Sequence, residues 1–130
     1  MTNSIVHFEI PANDVLRAKK FYEKIFGWKI EKYQMPGEEY WVVYTTEVDK
    51  DKRPAKPGAI NGGMYQRSET SAKNTVIVIN VANIDSYIKK IKKAGGKVVA
   101  EKNKVGDMGF YAQVADTEGN VIGIWEMIKK

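Results

Sequence analysis

The sequence predicts an α+β fold built from two tandem βαβββ modules. Three observations carry this prediction. Runs rich in β-branched and aromatic residues flank two lysine-faced helical stripes. Each stripe starts at an Asn or Asp and stops at glycine. The order of these signals then repeats at a fixed spacing of 69 residues. Under that offset His7 falls on Val76, Asp14 on Asn83, Val15 on Ile84, Tyr22 on Ile91 and Gly27 on Gly96, and further on Gly37 falls on Gly106 and Trp41 on Phe110. An internal repeat of this size points to two copies of one supersecondary unit, each needing the other to cover its sheet. Module 1 covers residues 1–66, a polar linker covers 67–74 and module 2 covers 75–130.

Taken in order, Ile5 to Ile10 alternates Val6, Phe8 and Ile10 with Ile5, His7 and Glu9, the period of a strand. Pro11, lacking an N–H, is expected to end its ladder. Asn13 or Asp14 can accept from the first free helical amides. A helix then runs to Phe26 with Val15, Ala18, Phe21, Tyr22 and Ile25 on one stripe, and Gly27 stops it. Strands are expected at Trp28 to Gln34 and Tyr40 to Thr46, joined by a Met35-Pro36-Gly37 turn. The stretch EVDKDKRPAKP, from Glu47 to Pro57, reads as the most loop-like and mobile part. A third strand of the set, Ala59 to Tyr65, contains Gly62 and Gly63, which let another group approach the backbone. In the second copy Val76 to Val81 is a strand, Asn83 a cap, and Ile84, Tyr87, Ile88, Ile91 and Ala94 a helical stripe stopped by Gly95-Gly96. Strands follow at Lys97 to Glu101, Phe110 to Ala115 and Val121 to Ile128, the last entered through Asp116-Thr117-Glu118-Gly119-Asn120.

With 43% hydrophobic and 28% charged residues, the chain is globular in composition. The absence of cysteine excludes disulfides, thiolate nucleophiles and cysteine metal sites, and suits a reducing cytoplasm. No apolar run has signal-peptide or membrane-span length, so no membrane partner is expected. The net charge of +5 resides largely in Lys19, Lys20, Lys24, Lys89, Lys90, Lys92, Lys93, Lys129 and Lys130. These are interleaved with helical apolar positions, the pattern of solvated helix faces, and no nucleic-acid partner is expected.

The strand carrying His7, the helix RAKKFYEKIFGW and the closing DTEGNVIGIWE together resemble the vicinal oxygen chelate superfamily, which includes glyoxalase I, bleomycin-resistance proteins and extradiol dioxygenases. The resemblance spans essentially the whole chain. It implies curled mixed sheets that enclose a cavity, helices outside, and commonly a homodimer. Metal-dependent members carry four ligands in that cavity, one from the first strand and one, usually glutamate, from the last strand of each module. In this sequence those positions fall on His7, Val76, Gly62 and Gly123, so one ligand of four remains. A Lewis-acid metal centre needs about three protein ligands, and the resemblance therefore implies no resident metal or cofactor here. A rebuilt divalent site would have to recruit Glu9, on the face of His7, with Asp107, Asp116 or Glu126; alternation places Glu126 opposite Gly123.

Two roles for His7 follow. With Glu9 it can form a general acid/base couple in which the carboxylate raises the imidazole pKa, or it is a cavity histidine satisfied by a neighbour. The two glycines remove charge and bulk, leaving room for an apolar or aromatic ligand. The candidate catalytic residues are His7 and Glu9. The candidate cavity residues are His7, Glu9, Trp41, Gly62, Met64, Val76, Phe110, Gly123 and Trp125, with Met108 as a further wall. The leading expectation is a cytoplasmic, homodimeric protein that binds a small organic molecule without the four-ligand metal site. The alternatives are a lyase, isomerase or dioxygenase of the superfamily using His7 and Glu9, with or without a divalent metal, and an interaction module with a filled cavity.

Overall fold

The computed structural model describes residues 3–33 and 39–128. Its elements run β1 (Ile5–Ala12), α1 (Val15–Phe26), β2 (Lys29–Lys32), β3 (Tyr40–Tyr44), β4 (Gly62–Gln66), β5 (Val76–Asn80), α2 (Ile84–Lys93), β6 (Lys97–Val105), β7 (Gly109–Ala115) and β8 (Val121–Met127). This is the βαβββ order twice. The expected Met35-Pro36-Gly37 turn lies outside the described residues.

Two compact units are present. The first, His7–Thr75, holds four strands in the order β2-β3-β4-β1, antiparallel except for the parallel pair β4/β1. The second begins at Val76 and orders its strands β5-β8-β7-β6, again with one parallel pair, β5/β8. It also takes in the described N-terminal residues up to Val6. Hydrogen bonds explain that assignment: the Asn80 N–H donates to Ser4 O at 2.9 Å, Asn3 Nδ2 donates to Asn80 O at 3.0 Å, and Tyr87 Oη donates to Asn3 Oδ1 at 3.0 Å. Residues 67–74 pack with the first unit, where the Arg67 N–H donates to Ala12 O at 2.7 Å and Ala72 is buried.

Both helices begin and end where their sequences direct. Asp14 accepts from the Arg17 N–H at 3.0 Å and Asn83 from the Ser86 N–H at 2.9 Å. Gly27 closes α1 in the left-handed region at φ 71°, returning its N–H to Glu23 O. In the first unit α1 covers one face of the sheet through Val15, Ala18 and Tyr22. Beneath it lie Phe8, Ile10, Ala12, Ile30, Trp41, Val43 and Met64, and Tyr22 stacks flat on Trp28 at 5.1 Å. The second unit repeats this arrangement with Val81, Ile84, Ala112, Val114 and Ile124, against which Phe110, Tyr87 and Ile91 pack.

Four differences from the sequence reading have physical reasons. Pro11 does not end β1; it pairs opposite Tyr65. Ala12 O accepts from the Arg67 N–H, so by alternation the missing Pro11 N–H points away from β4 and the β1/β4 ladder loses no bond. Phe21 and Ile25, placed on the buried stripe of α1, are 55% and 57% exposed because Val15, Ala18 and Tyr22 alone fill the contact with the sheet. The Glu47 to Pro57 loop is tied internally: Asp49 Oδ1 accepts from the Asp51 and Arg53 N–H groups at 2.9 and 3.1 Å, and Val48 bridges to Pro54. β6 extends to Val105 through register shifts at Val98/Ala100 and Ala100/Asn103, which periodicity alone does not reveal.

Candidate functional site

Register decides which side chains meet. In the first unit Glu9 lies opposite Gly63, and Gly63 opposite Val42; residues so paired share a face. Alternation adds His7 and Tyr40 to that face, the one away from α1. Phe8, Ile10, Gly62, Met64 and Trp41 lie on the other. In the second unit Val78 pairs with Gly123 and Gly123 with Gln113, so Val76, Tyr111, Gln113, Gly123 and Trp125 share the face away from α2.

The predicted site residues therefore separate. His7, Glu9, Val76, Gly123 and Trp125 stand on faces away from the helices. Trp41 and Met64 belong to the core beneath α1, and Phe110 to the core beneath α2. Gly62 also faces α1; a Cβ there would come within 2.5 Å of Phe8 O. Its neighbour Gly63 is the residue that matches Gly123, because each sits opposite the same position of its first strand, Glu9 and Val78 respectively. By the same register Trp41 matches Ala112, opposite Ile124, rather than Phe110.

The polar centre of the first unit is a three-residue chain. His7 Nε2 lies 2.9 Å from Tyr40 Oη, and Tyr40 Oη donates to Glu9 Oε2 at 3.2 Å. Glu9 is buried, at 7% exposure. Tyr40 reaches this place because Gly63 has no side chain: a Cβ on Gly63 would overlap the tyrosine hydroxyl. The second unit has the same device. Tyr111 leans over Gly123, where a Cβ would lie 2.7 Å from the hydroxyl, and Gln113 Nε2 donates to Tyr111 Oη at 3.0 Å. Sequence reasoning missed Tyr40 and Tyr111. The available signal was the strand glycine, which already announced a close approach to the backbone but not by which group.

Electrostatics correct one expectation. Glu9 does not raise the His7 pKa. The hydroxyl of Tyr40 stands between the two, and burial pushes the imidazole down to about 4. His7 is thus neutral near pH 7, and the unfolded chain binds a proton there before the folded chain does. Stability contributed by this group is complete above about pH 6.5 and is lost as the pH falls towards 4, on the order of 2–3 kcal/mol. Urea midpoints at pH 7 and pH 4 should therefore differ less in His7→Gln than in the wild type; an equal difference in both proteins would contradict this assignment.

The other sequence candidates have structural duties. Glu126 Oε1 accepts from the Ile84 N–H at 2.8 Å, in the first turn of α2. Asp116 Oδ1 accepts from the Asn120 and Glu118 N–H groups, both at 2.9 Å, and Asn120 Nδ2 donates to Oδ2. These bonds, led by those from Asn120, hold the carboxyl below its usual range. Asp107 and Met108 are exposed. Among the described residues no three His, Cys, Asp or Glu side chains are grouped to hold a metal ion. Of the positions to which the superfamily resemblance carries metal ligands, His7 and Gly63 in the first unit offer one donor side chain and Val76 and Gly123 in the second offer none, so the residues present do not fit a metal. A groove of about 420 Å³ beside the start of α1, bounded by Pro11, Asp14, Arg17, Phe21 and Arg67, includes none of the predicted site residues.

Comparison with known proteins agrees with this architecture. The model of the family described as Glyoxalase/Bleomycin resistance protein/Dioxygenase superfamily matches residues 4–124. A glyoxylase-like domain-containing protein of Didymella fabae is 32% identical over 120 residues, covering 89% of this chain and 88% of that protein. The protein CFP32 of Mycobacterium tuberculosis is 27% identical over 121 residues, 91% of this chain; the chain spans 43% of that relative's length. Methylmalonyl-CoA epimerase of Streptomyces coelicolor, solved as a variant with 2-nitronate-propionyl-CoA, superposes with a TM-score of 0.65 at 14% identity, covering 99% of both chains. At that identity the likeness is one of fold.

Proposed function

The chain belongs to the glyoxalase/bleomycin resistance protein/dioxygenase superfamily, and on that premise we propose that it binds a small organic molecule, without the four-ligand metal site, at the sheet face that carries His7, Tyr40 and Glu9. One observation carries the reading: a connected imidazole–hydroxyl–carboxylate chain stands on the face away from α1, around the one position, His7, that keeps a donor side chain where the superfamily resemblance implies metal ligands. The side chains at the corresponding positions, Gly63, Val76 and Gly123, offer no donor atoms. A buried carboxylate and a neutral imidazole on one face, beside Tyr40, Val42 and Tyr65, supply a few fixed polar groups next to apolar and aromatic side chains, the composition of a small-molecule site. The reading extends to a cytoplasmic homodimer, the latter checked by mass in solution. No helix among the described residues is long and apolar enough to cross a membrane.

A second reading, an enzyme of lyase, isomerase or dioxygenase type using His7 and Glu9, is favoured by the continuity of the same chain. Tyr40 links the two residues, so a proton can be exchanged along hydrogen bonds already made.

Thermal unfolding in the presence of uncharged apolar and aromatic metabolites tests the binding reading. A ligand at about 100 times its Kd should stabilise the protein by roughly 2.7 kcal/mol, a shift of several degrees in Tm. The shift should vanish in His7→Ala. A full panel that stabilises nothing would favour the interaction module and contradict the proposal.

A further inference from the structure

The direction of the hydrogen bonds at His7 defines what a ligand must offer. Tyr40 has one hydroxyl hydrogen, and it goes to the Glu9 carboxylate, which only accepts. His7 Nε2, 2.9 Å from the same oxygen, is then the donor of the second bond. The imidazole is thereby fixed as the Nε2–H tautomer, and Nδ1 carries the lone pair. Nδ1 takes no hydrogen-bond partner among the described residues. Both bonds run towards Glu9, so each polarises the next and the accepting end of the chain is Nδ1.

We propose that His7 Nδ1 is the atom that receives the ligand, that the ligand presents an uncharged O–H or N–H donor to it, and that Tyr40 is the positioning residue that holds the tautomer. This inference rests on the binding reading above. An ether or carboxylate oxygen in that place would bring lone pair against lone pair. The site therefore selects donors and rejects their methylated or anionic counterparts. Gly63 belongs to the same device, since only a residue without a side chain lets the Tyr40 hydroxyl lie between His7 and Glu9.

Phenol with anisole, and indole with N-methylindole, are probe pairs that differ by one donor. Calorimetric titration of the full chain should show the donor of each pair binding about tenfold tighter. In Tyr40→Phe, which keeps the ring, that ratio should fall to within about twofold. Because His7 is the only histidine, its imidazole ¹⁵N signals read the tautomer directly. The wild type should show a protonated Nε2 and a bare Nδ1, and Tyr40→Phe a mixture of both tautomers. A wild type protonated at Nδ1 overturns the inference whatever the variant does. Equal binding within each pair, with His7 signals moving on titration, overturns it while leaving the binding reading intact. Absence of binding by all four probes and by the wider metabolite panel defeats both.

Discussion

Met64→Ala should lower stability by about 2–5 kcal/mol while leaving the His7 imidazole signals unchanged. Met64 is completely buried, pairs opposite Trp41 on β3, and packs beneath α1 with Ile10, Val15, Ile30 and Val43. Removing its side chain leaves a cavity among side chains already fixed by the helix and two neighbouring strands, so little collapse can offset the loss. The polar chain lies on the opposite face and shares no side chain with that cluster. Urea denaturation gives the stability change, and the ¹⁵N spectrum shows whether the site is touched. A variant of wild-type stability with altered His7 signals would mean that Met64 lines the ligand site, as the sequence alone had allowed.

Gly63→Ala should have the complementary signature. The added methyl meets the Tyr40 hydroxyl, and relieving that overlap requires Tyr40 to leave its position between His7 and Glu9. The stability cost is about 1–3 kcal/mol, the range for adding a methyl to a packed interior. The His7 signals should shift, and the tautomer should no longer be fixed. Gly62→Ala provides the control. Its methyl is directed at Phe8 on the helix side, so stability should fall while the His7 tautomer stays as it is. If Gly62→Ala and Gly63→Ala affect His7 alike, the facial assignment of β4 is wrong.

The contrast between these neighbouring glycines shows where sequence reading stopped. Asp14, Gly27 and Asn83 announced both helices because caps and glycine stops act within a few residues of chain. The repeat was legible because each copy carries its own local cap and glycine stop, 69 residues apart. Which strand glycine faces the site is a different kind of fact. It depends on a register between β1 and β4, strands separated by about fifty residues, and a shift of one residue exchanges the faces. That single shift put Gly62 in place of Gly63. The same limit left Trp41, Met64 and Phe110 undivided between core and site.

Tyr40 was hidden for a related reason. It is 33 residues from His7 and 31 from Glu9, and it reaches them by leaning across β4 over a residue without a side chain. Only with the register in hand does the glycine become the explanation of the tyrosine. The pKa of His7 followed the same course: adjacency on a strand suggested that Glu9 would charge the imidazole, whereas burial and the intervening hydroxyl keep it neutral.

Metal content bears most directly on the central proposal, that His7 serves an imidazole–hydroxyl–carboxylate chain and not a metal ion. Elemental analysis of protein purified without chelator should find zinc, nickel, manganese and iron far below one equivalent per chain, in the wild type and in His7→Ala alike. One equivalent of any of these metals in the wild type, absent from His7→Ala, would contradict the account.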